Sequence, residues 1–437
     1  MSELLTPGQE LQTGSGLGCK VEAFLGGGGQ GEVYRASYCG TPVALKYFFP
    51  HIATEQMRAG IEYLVQKQAP DARFLWPLEI VTLPGQTGFG YLMPLRPPRY
   101  KNIVDLMKRR IEPSFQALCM AGMQLADSFL KLHSLGLCYR DISFGNAFFD
   151  PDSGETLICD NDNVSADGTA HVSVLGTPRF MAPEVVIGDA LPSTHTDLYS
   201  LAVLLFYFFV IHHPLEGAIE AGIHCMDLPA MNRLYGHQPI FIFDPDNDSN
   251  RPVPGLHNNA LLIWPILPAS LRQLFTRSFT EGIRDPLHGR VRESEWRNAM
   301  SQIRDQIFYC ACGAENFYER ENVSPTSAGQ CWSCQQSLQL PMRMRLDQSE
   351  LVMLNRDTRL YPHHTLSASR YDYTQPEAEM AQHPQNPQIW GLKNLSQRRW
   401  VLTMADGSLK DVDPGRSATL SAGLKIDFGG RKGEVRI

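Results

Sequence analysis

Residues 20 to 50 alternate apolar and polar positions around a glycine-rich turn, and this period of two predicts strand, loop, strand, strand. From Thr54 to Gln68 the pattern turns helical, and Leu75 to Leu95 returns to strand-like alternation broken at Pro84-Gly85. Phe115, Leu118, Ala121, Leu125, Phe129 and Leu132 recur three and four apart, with Gly136 as a stop, which predicts an amphipathic helix. The apolar run Leu198 to Ile211, about 14 residues, is shorter than the roughly 20 that cross a bilayer and predicts a buried core helix. A strand-rich front and a helix-rich back predict two lobes. Near Phe308 the texture changes to a Cys-bearing, loop-rich stretch. After Pro341 come short alternating runs parted by turns such as Asp406-Gly407 and Pro414-Gly415, which predict an all-β module.

Composition narrows the class without naming a partner. A chain of 437 residues exceeds what one hydrophobic core organises, and 43% hydrophobic with 19% charged residues is the balance of a folded soluble protein. The net charge of -7 argues against a whole-protein role on nucleic acid or an anionic membrane. Met1-Ser2-Glu3-Leu4-Leu5 has no basic region and no apolar run, so no secretory signal is expected. Of ten cysteines, six are scattered and four gather between Cys310 and Cys334; the scatter suggests reduced thiols and a cytoplasmic location, the cluster a metal. The polar stretch Asp244 to Asn250 lacks the Gly and terminal Glu of a calcium loop and reads as solvated loop.

The chemistry concentrates in Tyr139-Arg140-Asp141-Ile142-Ser143-Phe144-Gly145-Asn146, followed by Asp160 behind a hydrophobic run. An Asp and an Asn five positions apart on a loop, with a second Asp behind a strand, can hold an acceptor hydroxyl and Mg-bound phosphates together. Gly26, Gly28 and Gly31 form G-x-G-x-x-G with Val33 two positions on, either a phosphate-covering hairpin or a flexible turn; Glu32 to Ala36 looks like a strand, against a dinucleotide-binding unit. Val43-Ala44-Leu45-Lys46 ends an apolar strand in an ammonium that could reach the α- and β-phosphates. Glu62, in the middle of the following helix, is its expected anchor, with Glu55 as the competing choice nearer the helix start.

In this order, together with Gly176-Thr177-Pro178-Arg179-Phe180-Met181-Ala182-Pro183-Glu184, Asp197-Leu198-Tyr199-Ser200 and the late Arg290, the segment from about 20 to 300 resembles a eukaryotic-type Ser/Thr protein kinase domain. The resemblance implies an α+β bilobal kinase fold. Asp141 would take the acceptor proton, Asn146 and Asp160 would hold Mg, and Lys46 with Glu62 would position ATP under Gly26, Gly28 and Gly31. Val33, Ala44, the gatekeeper Met93, Pro94 and the backbone N-H of Arg96 would border the adenine. Arg290 would pair with Glu184. Arg140 would receive an activation-loop phosphate from Ser165, Thr169 or Ser173. Three departures stand out: Ser143 replaces the usual Lys at the γ-phosphate, Asp160-Asn161-Asp162 replaces D-F-G, and Tyr139 replaces His. They leave open a nucleotide-binding pseudokinase scaffold, and a small-molecule kinase is a weaker third reading.

Cys310-Ala311-Cys312 and Cys331-Trp332-Ser333-Cys334, eighteen residues apart, can wrap one structural Zn; ordinary buried thiols or a redox pair are the alternatives. Glu315, Glu319 and Glu321 make this ribbon a poor nucleic-acid surface. In the tail, Gly391 to Ser396, Asp406-Gly407, Pro414-Gly415 and Leu424 to Gly429 resemble the second half of a forkhead-associated β-sandwich, with no convincing phosphothreonine-holding pair although His363 and His364 lie nearby. Such a module could either read phosphothreonine or have lost that ability. The combination resembles bacterial kinases of tellurite-resistance-like phosphorylation systems, which implies a von Willebrand A-type protein and a metal-dependent phosphatase as partners, with no nucleic acid and no membrane. The expected organisation is an N-terminal segment 1–18, a kinase domain 19–306 with lobes 19–95 and 96–306, a zinc ribbon 307–338 and an all-β sandwich-like domain 339–437.

Overall fold

The computed structural model describes residues 3–85, 88–168, 175–320, 328–347 and 350–437. The chain divides into two compact units, Met1–Trp264 with Gln273–Arg297, and Pro265–Arg272 with Asn298–Ile437. The division falls inside the helix Glu293–Asp305 instead of at the expected 306/307 boundary, and the Cys-bearing stretch shares a unit with the β module instead of standing apart from it.

The first unit opens with a closed barrel of six strands in the order β1-β2-β3-β4-β6-β5: β1 (Glu10–Thr13), β2 (Gly18–Gly27), β3 (Gly31–Tyr38), β4 (Thr41–Phe48), β5 (Glu79–Thr82) and β6 (Phe89–Pro94). β1 pairs with both β2 and β5, so the barrel starts before residue 19, within what sequence reading left as a separate segment. Leu5 and Leu11 bury themselves with Val21, Tyr34, Val43, Leu45 and Leu92 inside the barrel. The period-two alternation of β4 turns Ala44, Lys46 and Phe48 to the opposite face, where Ile61 of helix α1 (Glu55–Gln66) packs. Both faces of β4 are thus covered, which explains its nearly unbroken apolar run.

The helix-rich lobe is built on α3 (Phe115–Ser134), which follows the short α2 (Ile103–Met107), and on α5 (Thr194–Val210), which follows α4 (Pro183–Val186). Ser114 caps α3 by accepting the Ala117 N-H, and Gly136, at φ 69°, takes the left-handed turn that ends it. α5 carries a reciprocal Ser193–Thr196 capping box and is buried from Tyr199 to Val210, as its continuous apolar run predicts. No helix among the described residues is long and apolar enough to cross a membrane. Short strands punctuate this lobe: β7 (Lys101–Asn102), β8 (Leu137–Cys138), β9 (Ala147–Phe149), β10 (Thr156–Ile158) and β11 (Ser165–Ala166). Between residues 244 and 250, Pro245, Asp246, Asp248 and Ser249 are exposed, whereas Asn250 is buried and donates to the Leu215 and Ile240 carbonyls.

In the second unit, the hairpin β12 (Ile307–Tyr309) and β13 (Glu315–Phe317) is followed by two antiparallel sheets. One comprises β14 (Arg343–Leu346), β15 (Glu350–Met353), β19 (Trp400–Thr403), β20 (Leu409–Val412), β22 (Lys425–Asp427) and β23 (Lys432–Arg436), in the order β15-β14-β23-β22-β19-β20. The other is β16-β17-β18-β21, from β16 (Arg359–Leu360), β17 (Ala378–His383), β18 (Asn386–Asn394) and β21 (Ser417–Thr419). Met344, Trp400, Ile426 and Val435 of the first sheet share one core with Leu360, Ala378, Leu392 and Ala418 of the second.

In the first unit, His133 lies between the carboxylates of Asp197, 3.1 Å away, and Glu293. Burial alone would lower its pKa, but the hydrogen bonds and charges of the two acids raise it to about 9. Because the folded value lies above the unfolded one, the stabilisation is complete below about pH 6.5 and is lost as pH rises through about 9. Its size is roughly 3 kcal/mol. The gap in melting temperature between the wild type and His133→Gln should therefore narrow across this interval in calorimetry; a gap that does not change with pH would show His133 to be neutral.

Candidate active site and thiolate cluster

The β9–β10 hairpin pairs Ala147 with Ile158, and the Cys159 N-H donates to the Asn146 carbonyl at 2.8 Å, so the hairpin ends bring Asn146 and Asp160 side by side. Asp160 takes a left-handed backbone (φ 48°) that starts a 3-10 turn. Ahead of the hairpin, the Asp197 carboxylate accepts the N-H groups of Tyr139 (2.5 Å) and Arg140 (2.9 Å). Asp141 leaves that clamp with both oxygens engaged: the Thr177 hydroxyl donates to Oδ1 at 2.7 Å, and Asn146 Nδ2 donates to Oδ2 at 3.2 Å and to the Asp141 carbonyl at 2.7 Å. A carboxylate held so that it cannot rotate, beside an amide and a second carboxylate, suits acceptance of a proton next to a cation.

Lys46 reaches the same place from β4. It is 5% exposed and donates to Asp162 at 2.9 and 3.1 Å, to Asp160 at 3.3 Å and to Gln30 at 3.1 Å. Burial would lower its pKa, but the charges of Asp162 and Asp160 hold the ammonium above its usual value. For Asp160, burial outweighs Lys46 and, with Asp162 adding repulsion, pushes the carboxyl upward. The Tyr91 hydroxyl completes the group by donating to Asp162 at 2.9 Å.

Glu62 does not anchor Lys46. Its carboxylate is half exposed and pairs with Arg58 one turn back at 3.0 Å. The inward residues of α1 are Ile61 and Leu64, and the helical period of roughly 100° per residue turns Glu62 away from them. Glu55, the other choice, opens the helix just after the Thr54 cap and is exposed.

The glycine-rich segment forms the β2–β3 turn, closed by the Gly28 N-H on the Gly31 carbonyl at 2.9 Å. A Cβ on Gly31 would lie 2.3 Å from the Tyr47 carbonyl oxygen, so packing alone demands glycine there. Gly26 and Gly28 have nothing within 4 Å of a Cβ, so their bareness leaves room for a ligand to approach the backbone. Gln30 folds beneath the turn and also donates to Asn163 at 3.3 Å. Val33, Ala44, Met93, Phe148 and Cys159 line one apolar cluster, with Met93 opposite Ala44 and Pro94 opposite Val43 in the β4–β6 ladder. The Arg96 side chain lies 4.1 Å over the Phe148 ring and donates to the Tyr100 carbonyl.

The three departures become concrete. Ser143 is buried and uncharged. Tyr139 packs edge-on to Phe129, and its hydroxyl donates to the Cys159 carbonyl. Asn161 is fully buried, with its amide on the Ile158 carbonyl and its Oδ1 without a partner among the described residues. Arg140 is buried at φ 72°, and its Nε and Nη2 also lack partners among the described residues. Ser165 sits in β11, whereas Thr169 and Ser173 lie outside the described residues. Farther away, Arg290 Nη2 donates to both oxygens of Glu184 at 2.7 and 2.8 Å and Nη1 to the His195 carbonyl at 2.7 Å, a charge-assisted contact that ties down the segment after Gly176. Sequence reasoning missed Asp162, Tyr91, Gln30 and Phe148 as parts of the site. An acid where a glycine is usual was the available signal for Asp162; the other three carry no local signature.

In the second unit, Cys310, Cys312, Cys331 and Cys334 have their sulfurs within 4.8 Å of one another, with 3.6 Å between Cys310 and Cys334 and 3.8 Å between Cys312 and Cys331. Four sulfurs around a tetrahedral Zn at about 2.3 Å would stand about 3.8 Å apart, so the donor set fits that ion. Burial would raise the Cys331 thiol, but N-H groups of Cys334 and Ser333 and the Asn316 amide bring it down to about 6. Glu321 lies outside the described residues. His363 and His364, which the sequence offers near the β module without a convincing phosphothreonine-holding pair, are both buried, His364 on Asp305 at 3.1 Å, and are closed to a peptide.

A protein kinase domain family profile matches residues 19–261, more than half of the chain. The chain is 26% identical over 315 residues to protein kinase YegI of Escherichia coli K12, which covers 67% of this chain and 46% of that protein. It is 27% identical over 213 residues to the serine/threonine-protein kinase pkn2 of Myxococcus xanthus, covering 45% of this chain and 24% of that one. Over 119 residues it is 32% identical to a probable serine/threonine-protein kinase, CCRP1, of Zea mays, covering 26% and 19%. The chain spans about half the length of the YegI proteins it matches.

The ion-pair geometry has a direct consequence for stability. Lys46→Ala leaves the Asp162 carboxylate, whose side chain is fully buried, without its counter-charge, and should cost about 3–5 kcal/mol. Glu62→Gln removes only an exposed i,i+4 pair and should change stability by less than about 0.5 kcal/mol. Urea unfolding of the two variants checks this; equal losses would contradict the geometry.

Proposed function

The chain belongs to the protein kinase domain family, and from that premise we propose that it is an ATP- and Mg-dependent serine/threonine protein kinase acting on a protein partner in bacterial phospho-signalling. The observation that carries this is the Asp141 carboxylate, fixed by Thr177 and Asn146 next to Asp160. Asp141 orients the acceptor hydroxyl and takes its proton. Asn146 and Asp160 present the oxygens that suit Mg. Lys46 offers its ammonium to the phosphates, and the bare backbone at Gly26 and Gly28 lets the hairpin close over them. The cluster of Val33, Ala44, Met93 and Phe148 accepts a flat apolar ring, with the backbone at Pro94 and Arg96 beside it. Bound ATP supplies the transferable phosphoryl group. Arg140, buried with unsatisfied guanidinium nitrogens, is suited to take a phosphate of the activation loop.

The four cysteines would hold a structural Zn that stabilises a segment with few apolar residues of its own. The two sheets would form a forkhead-associated-like docking module without phosphothreonine reading by His363 or His364. A von Willebrand A-type protein and a metal-dependent phosphatase are the partner classes that the family resemblance implies, with no role for nucleic acid or membrane. A cytoplasmic site of action fits the reduced thiols. Ser143 favours a second reading: with no lysine at that position, a nucleotide-binding pseudokinase scaffold acting through the second unit would keep every other contact.

Labelled ATP with Mg separates the two readings. The kinase should label itself, a generic acceptor or a neighbouring protein, and Asp141→Asn should lower the rate by roughly 10²-fold or more; no transfer from the wild type would leave the scaffold. For the thiolate cluster, the expected metal content is about one Zn per chain. Cys331→Ser or chelation should remove the metal and expose the second unit to proteolysis; wild-type protein free of Zn would rule out the ribbon.

A further inference from the structure

We infer that Asp162 is the residue that positions the nucleotide-binding Lys46 in this chain, in place of a glutamate on α1. The inference deepens the proposed kinase reading and rests on it. Three observations converge. Both oxygens of Asp162 lie on the Lys46 ammonium, at 2.9 and 3.1 Å, whereas Asp160 touches it with one oxygen at 3.3 Å. The Asp162 side chain has no exposed surface, and Tyr91 from β6 fixes its Oδ1 at 2.9 Å, so the carboxylate has one orientation. Glu62 is meanwhile committed to Arg58 on the solvent side of its helix.

A lysine that must meet phosphate oxygens needs a carboxylate to hold its ammonium extended without neutralising a metal ligand. Asp160, with 39% of its side chain exposed, is the more accessible of the two acids and is left to face a cation. Asp162 stands behind the ammonium. Both acids come from one 3-10 turn, so the lysine anchor and the metal ligand are set by a single segment, and Gln30 links that arrangement to the glycine-rich turn. The position of α1, which carries no carboxylate to Lys46, drops out of the requirement. The acid that replaces glycine after Asn161 therefore has a function: it is the lysine's partner, moved from a helix to a loop.

The test measures binding of a fluorescent ATP analogue with and without Mg, together with steady-state kinetics, for the full chain and four variants. Asp162→Asn should weaken nucleotide binding tenfold or more in both conditions, Asp162→Glu should recover a large part of it, and Glu62→Gln should bind within twofold of wild type. Tyr91→Phe, which keeps the charge but frees the carboxylate, should raise the KM for ATP severalfold and leave kcat within twofold; a merely structural loss would lower the active fraction without moving KM. Wild-type binding by Asp162→Asn, an equal loss in Glu62→Gln, or faster phosphoryl transfer in Asp162→Asn, which would mark the contact as inhibitory, each overturns the inference while the kinase reading stands. A wild-type chain that binds no nucleotide overturns both.

Discussion

Asp197 sits in the first turn of a buried helix, 1% exposed, and three donors converge on its carboxylate: the N-H groups of Tyr139 and Arg140 and the ring of His133. Hydrogen bonds to a charged group contribute about 1.5–3 kcal/mol each, enough to hold Arg140 in a left-handed backbone that a residue with a Cβ would otherwise resist. The next residue is Asp141, and its direction follows from that bend. Asn146 then closes the loop on the Asp141 carbonyl, and the β9–β10 hairpin carries the constraint to Asp160. Asp141 and the two candidate metal ligands, Asn146 and Asp160, therefore share one rigid origin, the buried Asp197 carboxylate.

A second constraint is electrostatic. Lys46 is buried, and a buried ammonium without a partner is too costly to persist, so the chain must supply an acid from some nearby element. Sequence reading chose the helix, because Glu62 lies mid-helix, where the resemblance expects it. The choice fails on geometry: Ile61 and Leu64 claim the inward face of α1, and the carboxylate one step from Ile61 finds Arg58 instead. The acid came from the loop, at a position where the resemblance expects glycine and where Asp162 read only as a defect. Departures from a family pattern at the site are thus coupled, the loss of one contact being matched by the gain of another.

What was legible depended on how far the information had to travel. The catalytic loop, the Glu184–Arg290 pair and the four cysteines each rest on short spacings or on an ordered set of motifs, and the structure brings those partners together. β1 escaped notice because four residues, Glu-Leu-Gln-Thr, are too short to show a period, and their strand exists only because β2 and β5 lie on either side. Tyr91 falls in the strand-like stretch Leu75 to Leu95 and Phe148 carries no local signature; only the fold shows that one reaches Asp162 and the other joins the apolar cluster of Val33, Ala44 and Met93. The division inside the helix Glu293–Asp305 was illegible for the same reason, since a helix keeps its period whatever packs on its two ends.

Asp305, His363 and His364 show that side chains gathered as if for a metal can serve another purpose. All are buried and close enough for one ion. The backbone decides against that use. His364 Nδ1 accepts the Tyr361 N-H and His363 Nδ1 accepts the Tyr371 N-H, each at 2.9 Å, so in both neutral rings the proton belongs on Nε2. Burial lowers the His363 pKa to about 4, which keeps that ring neutral. His364 Nε2 then donates to Asp305 and His363 Nε2 to Ser301, and nitrogens that carry protons are not metal ligands. The four cysteines differ in this respect: their sulfurs face one another at 3.6 and 3.8 Å, and Cys331 accepts from the Asn316 amide, an arrangement that suits thiolates gathered around a cation.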